Sequence, residues 1–517
     1  MAERPLQMRC TGMKEIVKIK EMTKAFFGTL ALDHMNFSIH EGEIRCLAGE
    51  NGCGKSTMIK MISGFYEFDS GALYINEKQY HKITPAEAIK EGIQVIYQDF
   101  SLFPNMTIAE NIMMYETVSR KEALIPWREL QERAKKILEY IHFEIDPEKY
   151  VYELSVAEKQ MVAICRAIVQ EAKLLIMDEP TTALTKKEVQ KLFEVIRKLK
   201  ENHVAVLFVS HKMDEVLEIC DSITIMRNGK NVLDVSTDEK LPDKEQIIYY
   251  MTGKKLSKEE YCFEADDTQQ PLMEVKDYCK TGAFEHINFK LHAGEILGIT
   301  GLLGCGRGEL AEALFGVDPA DSGCVTIEGE SLGLINHIQK ALDHRIAYVP
   351  EDRLTEGLHL DQTIADNSIS RIIGSFTDRL GVIRKPALEK KQEEGFCMIS
   401  VAGAHPEKPV RSLSGGNQQK VVLIKWLLSD PRILILNCPT VGVDVGAKSD
   451  IHKIIRELAK KNGLGVIVIS DDIYEIKQVC SRVMIMENGR ICHEFPASEQ
   501  SAEAIEQMLA EGKGGAQ

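Results

Sequence analysis

One ordered set of landmarks occurs twice along this chain, and the doubling limits the fold more than any other feature. The glycine-rich stretch "GENGCGKST" at 49–57 returns as "GLLGCGRGE" at 301–309, 252 residues further on. "LSVAEKQMVAICRAI" at 154–168 returns as "LSGGNQQKVVLIKWL" at 413–427, an offset of 259. "LLIMDEPTTALT" at 174–185 is matched by "ILILNCPTVGVDVG" at 433–446, again offset by 259 between Asp178 and Asn437. "VLFVSHKMDEV" and "VIVISDDIYEI" start at Val206 and Val466, 260 apart. Four landmarks in one order at a nearly constant offset mean two homologous domains in one chain. The expected division is 1–255, a polar non-periodic joint at 256–271, a second domain at 272–510, and a disordered tail at 511–517.

Within each copy, short Val/Ile/Leu runs alternate with amphipathic helical patterns. That rhythm predicts the α/β class: two P-loop α/β cores, each with a largely parallel sheet. Between 104 and 172 the pattern turns mostly helical, so a helical subdomain is expected to interrupt each core. No run of 18 or more apolar residues occurs, and the start has no apolar core followed by a small-residue cleavage site. The expectation is therefore a protein with neither a membrane span nor a secretory signal. The 13 cysteines include no CxxC pair and no Cys/His cluster at ligand spacing, which reads as reduced thiols rather than zinc. A net charge of −15 weighs against a nucleic-acid partner, whose backbone demands a basic surface.

The first copy carries recognisable chemistry. "IRCLAG" followed by "ENGCGKSTMIKMISG" is a strand, a glycine-rich loop and a helix. Gly49, Gly54, Lys55 and Ser56 fit G-x-x-x-x-G-K-[ST]. Such a loop, here Gly49, Glu50, Asn51, Gly52, Cys53, Gly54, Lys55, Ser56 and Thr57, lets backbone N–H groups close around phosphates at a helix start. Lys55 reaches the terminal phosphates and Ser56 offers a hydroxyl to Mg²⁺. Asp178 ends a hydrophobic strand, where it can hold Mg²⁺ through water. Glu179 follows, expected to point the other way by the strand's period of two, and can orient and deprotonate an attacking water.

The order P-loop, "YQD", "LS…Q", "DEPT", "SH" resembles the nucleotide-binding domain of ATP-binding-cassette (ABC) proteins, over both halves and nearly the whole chain. The resemblance implies two such domains arranged head to tail, with ATP between one domain's P-loop and the other's signature helix. It implies Gln98 as the Q-loop residue sensing Mg²⁺ and the membrane partner, and His211 as a contact to the γ-phosphate. Phe26 is the implied adenine-stacking aromatic; Phe27 is an alternative, and either could belong to the core.

The second copy departs from the pattern. The P-loop lysine becomes Arg307, the Mg²⁺ hydroxyl position Gly308, the acidic pair Asn437-Cys438, the Q-loop position Glu351 and the histidine Asp471. The signatures show the reverse. Ser414, Gly415, Gly416, Asn417 and Gln418 keep the family's form, while the first copy has Val156, Ala157 and Glu158. Asp444 keeps the D-loop aspartate where the first copy has Thr185. In a head-to-tail pair the intact halves would meet in one working site and the altered halves in one dead site.

"LSVAEKQ", "TTALT", "YVPEDR", "LSGGNQQKV" and "GVDVGAK" together resemble the tandem ATP-binding subunits of bacterial monosaccharide importers. That likeness implies ATP and Mg²⁺ as cofactors, a dimer of integral membrane permease subunits, an extracytoplasmic solute-binding protein, and a place at the cytoplasmic face of the membrane. Nucleosides or a sugar-like signalling molecule are alternative solutes. A ribosome-associated tandem ABC ATPase is the remote alternative, disfavoured by the short joint and the altered second copy.

Overall fold

A computed structural model describes residues 14–26, 29–97, 100–120, 126–181, 184–210, 212–236, 242–253, 261, 263, 270–302, 304–401, 405–443 and 445–511. The chain divides into two compact units, Met1–Leu256 and Ser257–Gln517. Each contains a six-stranded sheet that is parallel except at one edge. In the first unit the order is Lys230–Ser236, Ser222–Arg227, Ile44–Gly49, Ala205–Val209, Leu174–Asp178, Ile93–Ile96, with only the first pair antiparallel. The second unit repeats it as Arg490–Pro496, Arg482–Glu487, Ile296–Gly301, Gly465–Ile469, Ile433–Asn437, Ile346–Val349. The central strands are buried along their whole length. A parallel strand covered on both faces needs apolar side chains at every position, which is why "AVLFV" and "GVIVI" lack alternation.

The sequence rhythm did not anticipate a second sheet in each unit. Thr29–His40, Glu15–Phe26, Ser70–Ile75 and Lys78–Tyr80 form an antiparallel sheet, as do Phe284–Leu291, Met273–Lys280, Ser322–Ile327 and Glu330–Gly333. One face of this sheet closes over the P-loop helix. Val17, Ile19, Leu32 and Phe37 share a core with Met58, Ile59 and Ile62 of the helix Lys55–Ile62, and with Leu47, Ile176 and Leu207 of the parallel sheet. The helix that begins at the phosphate loop is thus held by hydrophobic burial from both sides.

The expected helical insertion is present as Ile108–Arg120, Trp127–Tyr140 and Val156–Val169, and in the second unit as Ile364–Ile369, Lys385–Met398 and Gly415–Leu427. Each copy anchors it with a buried asparagine. Asn111 accepts the Phe103 N–H at 2.8 Å and donates to Phe103 O and Thr107 O, both at 3.0 Å. Asn367 makes the same three bonds with His359 and Thr363. A fully enclosed amide is tolerable only when satisfied in this way.

Of the joint proposed at 256–271, residues 256–260, 262 and 264–269 lie outside the described residues. Residue 261 is seated on the second unit: the Tyr261 phenol donates to Gly294 O at 2.8 Å, and its ring packs on that unit's core. Glu511 ends the helix Ala502–Glu511 rather than starting a tail, and 512–517 lie outside the described residues. Among the described residues, no helix is long and apolar enough to cross a membrane.

Candidate nucleotide site and its second copy

In the first unit the strand Ile44–Gly49 runs straight into the loop, and the helix starts at Lys55. Gly54 caps that helix with φ 109°, a conformation that excludes a Cβ. A Cβ at Gly49 would lie 2.4 Å from Met226 O, so the loop also turns too close to the neighbouring strand for any side chain. Lys55 is buried, and its ammonium donates to Gly49 O at 2.7 Å and Glu50 O at 2.9 Å. It ties the helix start back to the beginning of the loop. Asn51, Gly52 and Ser56 are exposed, Glu50 and Thr57 half-buried, and Cys53 lies beneath the loop, with burial holding its thiol above the usual range.

Asp178 is the last residue of its strand. Its carboxyl is pushed up by burial and by the charge of Glu179, against the pull of Lys55 and Lys60. A half-buried carboxylate raised this way gains most from a cation, so the donor set Ser56 and Asp178 fits Mg²⁺. Glu179 stands just beyond the strand. It does not continue the strand's alternation but takes a left-handed backbone, φ 49°, with its N–H donated to Val209 O at 2.9 Å. The backbone turn, not the strand period, sets the direction of its side chain. Phe26 is half-buried, 5.3 Å from the Tyr66 ring edge-on and with Lys24 over its face. Gln98, His211, Asp444 and the alternative Phe27 lie outside the described residues.

The second unit keeps the backbone and changes the chemistry. Gly306 caps the helix Arg307–Phe315 with φ 94°, and a Cβ at Gly301 would lie 2.3 Å from Met486 O. Arg307 is buried like Lys55 and bonds to Gly301 O through Nη1. Its other nitrogen faces Asp471 at 3.7 Å, so two of the substituted positions pair with each other. Gly308 has open space where a Cβ would stand; the missing hydroxyl is therefore not forced by crowding. Asn437 is buried against the Tyr348 hydroxyl at 3.4 Å. Cys438 repeats the backbone of Glu179, with φ 47° and its N–H on Ile469 O at 2.7 Å. Burial, then Glu351 and Asp471, push its thiol up to about 12.

The two signature helices begin differently. Ser155 caps Val156–Val169 in a capping box: its hydroxyl accepts the Glu158 N–H at 3.3 Å, and the Glu158 carboxylate accepts the Ser155 N–H at 2.7 Å. The helix start is thus already served by its own anion. Ser414 caps Gly415–Leu427 without any side-chain cap hydrogen bond, its hydroxyl instead accepting from Asn417 Nδ2 at 3.0 Å. Gln418 is buried in the helix. The glycines have a structural reason beyond approach to phosphate. A Cβ at Gly415 would meet Arg353 Nη2 at 2.7 Å and Gly442 O at 2.8 Å, and one at Gly416 would meet the Ala447 methyl at 2.3 Å.

Sequence reasoning missed Arg353. Its guanidinium donates to Val441 O at 2.5 Å and Gly442 O at 3.3 Å, tying the "PEDR" turn to the loop that leads to Asp444. Lys425, on the signature helix, donates to Gly357 O at 2.6 Å at the end of the same turn, and burial lowers its pKa to about 8. In the first unit Arg166 plays this part toward Ser101 O and Phe100 O. An arginine in "YVPEDR" was the available signal, but only the fold reveals what it reaches.

The family model of ABC transporters matches residues 32–182 and 284–441, once in each unit. The chain is 37% identical to the ribose import ATP-binding protein RbsA of Bacillus licheniformis, over 96% of this chain and 100% of that protein. It is 36% identical to RbsA of Bacillus subtilis over 96% and 100%. It is 38% identical to a putative ribose/galactose/methyl galactoside import ATP-binding protein of Burkholderia cenocepacia, over 92% and 90%. With both cassettes matched and 92–96% of its length covered, this chain belongs to the ABC transporter family, as a tandem ATP-binding protein of the same kind as these relatives.

Proposed function

We propose that this chain is the ATP-hydrolysing subunit that powers import of a monosaccharide, of the ribose or galactose class, through a separate membrane permease at the cytoplasmic face. The sugar class is carried by the names of the full-length relatives. The permease and an extracytoplasmic solute-binding protein are what an ATPase of this kind needs in order to move a solute.

The chain has one productive ATP site. Its phosphate cradle is Gly49 to Thr57, its Mg²⁺ ligands are Ser56, Asp178 and Gln98, and its base is Glu179, with His211 at the γ-phosphate. Its signature is Ser414 to Gln418, with Asp444, from the second copy. Mg²⁺ bound there would neutralise phosphate charge. Lys55 holds the terminal phosphates, the loop N–H groups orient them, and Glu179 accepts a proton from water. The observation that carries the one-site reading is the opposed state of the two copies. Lys55, Asp178 and Glu179 stand where the other copy has Arg307, Asn437 and Cys438, while the signature helix whose start has no side-chain cap hydrogen bond belongs to that other copy.

The test is ATP turnover and sugar uptake by the chain assembled with its permease. Lys55→Ala and Ser414→Arg should abolish both. Arg307→Ala and Ser155→Arg should leave most activity, the latter at a stability cost of about 1 kcal/mol for the lost cap. Equal losses within either pair would overturn the one-site reading.

A further inference from the structure

We propose that Asp277, Cys279 and His286 form a binding site for one zinc-class divalent metal ion on the antiparallel sheet of the second unit. Asp277 and Cys279 lie on the strand Met273–Lys280, and His286 on the adjacent strand Phe284–Leu291. The pairing slips on both sides of Tyr278, and the bulges turn the three side chains together. Asp277 Oδ1 is 2.5 Å from His286 Nδ1, and Cys279 Sγ accepts the His286 N–H at 3.2 Å. One donor atom from each residue lies within 4.8 Å of the others. The histidine comes from the next strand, so the set has no ligand spacing that sequence alone could reveal.

The first unit supplies the control. Its bulge is built the same way. Glu21 and His34 have φ 47° and 51°, as Asp277 and His286 have 45° and 54°. Asn36 Oδ1 accepts the Glu21 N–H at 3.1 Å, as Asn288 Oδ1 accepts that of Asp277 at 2.9 Å. The His34 N–H goes to Thr23 Oγ1 at 3.4 Å, where the second unit has the Cys279 sulfur. A threonine hydroxyl therefore does everything this backbone requires. What the second unit adds is a soft sulfur ligand beside an imidazole and a carboxylate. There the histidine turns to the bulge carboxylate, whereas His34 turns to Asp33, its chain neighbour.

Thiolate, imidazole and carboxylate are the donor types of tetrahedral zinc, at about 2.0–2.3 Å from the metal. Donors this close need to move by only about 1 Å to share one ion. Asp277 and His286 are exposed and Cys279 half-buried, so water can take the fourth position. On binding, the ion replaces the thiol proton, which is released to solvent. Nothing in this site draws on the nucleotide reading.

The test uses the full chain without nucleotide, titrated with Co²⁺ while following thiolate-to-metal charge-transfer absorption, and with Zn²⁺ in competition. One equivalent per chain is expected. Cys279→Thr installs the residue the first unit already folds with, so its melting temperature in chelator should match the parent. It should abolish the thiolate band and weaken Zn²⁺ binding by more than about 100-fold. Asp277→Asn and His286→Gln should each weaken Zn²⁺ by at least about 10-fold. Absence of a thiolate band at one equivalent overturns the proposal. So does a band that persists in Cys279→Thr, which would place the metal on another thiol such as the exposed Cys397 or Cys492.

Discussion

Replacing Glu179 by Gln isolates the proposed base from everything else in the cradle. The left-handed backbone at this residue and its N–H bond to Val209 O do not depend on the carboxylate, so the turn survives. Lys55 keeps its bonds to Gly49 O and Glu50 O, and Ser56 stays exposed. Removing the Glu179 charge also removes one of the two influences that raise the Asp178 carboxyl, which favours the ionised form that Mg²⁺ needs. Binding of Mg-ATP should therefore hold or tighten slightly. Turnover should fall by about 10²–10⁴-fold, the usual contribution of a positioned base, which is about 3–5 kcal/mol of barrier. The assay pairs steady-state phosphate release by the permease-assembled protein with equilibrium ATP binding. Turnover within a few-fold of the parent would remove Glu179 from the mechanism. Loss of ATP binding would instead show that the carboxylate supports the cradle.

Equilibrium dialysis should find one tight Mg²⁺-dependent ATP site per chain, and two would contradict the degenerate second copy. Arg353→Ala should slow hydrolysis by up to about 10²-fold through misplacement of the loop before Asp444. ATP affinity should be unchanged and Arg353→Lys should give partial rescue; an affinity loss equal to the rate loss would refute a positioning role. Glu43 is the clearest pH handle. Burial alone would raise its carboxyl, but His40, Arg45 and Ser222 outweigh that and hold it at about 2, against 4.5 unperturbed. A folded pKa below the unfolded one gives stability that is present above pH 4.5 and is lost as pH falls toward 2, roughly 3 kcal/mol in all. Glu43→Gln should flatten that acid limb in unfolding measured against pH; an unchanged slope would refute it.

The parallel sheets and the phosphate loops were legible because their signals are local. Apolar runs such as "LLIMD" admit few structures, and a glycine-rich turn between strand and helix has one common use. The antiparallel sheets were not, since Glu15–Phe26 and Thr29–His40 pair through several register slips that blur their alternation. Strand periodicity is for a related reason no guide to Glu179. The period of two holds only inside a strand, and the chain leaves it at Asp178. The capping box at Ser155 was written in the sequence, as Ser followed three residues later by Glu. The Glu158 carboxylate occupies the N–H of its own helix cap, which comparison of the two signatures alone does not reveal. Arg353 and the Asp277–Cys279–His286 group depend on contacts between segments, which no single-segment pattern encodes.

If only one site is productive, as proposed, restoring two residues of the second copy should not create another. Asn437→Asp and Cys438→Glu return the lost carboxylates, and the backbone at 438 already matches that of Glu179. The surroundings do not. Burial, Glu351, Asp471 and Glu475 push the Cys438 thiol up to about 12 against the pull of Arg307, and a glutamate placed there meets the same surroundings. Its pKa would rise, so part of it would be protonated and unable to accept a proton, and the ionised part would repel phosphate. The new aspartate would lie where Asn437 is packed against Tyr348, and Gly308 offers Mg²⁺ no hydroxyl. Arg307 would stay turned toward Asp471. Phosphoryl transfer depends mostly on positioning and charge stabilisation, so an isolated acidic pair has little to act upon. In the Glu179→Gln background, with the permease present, the double repair should leave ATP turnover at the Glu179→Gln level. Adding Gly308→Ser, for which there is open space, should still recover only a minor fraction. Recovery by the double repair to a large fraction of the parent rate would mean that the second cradle was only two side chains from working, and the case for a single productive site would fall with it.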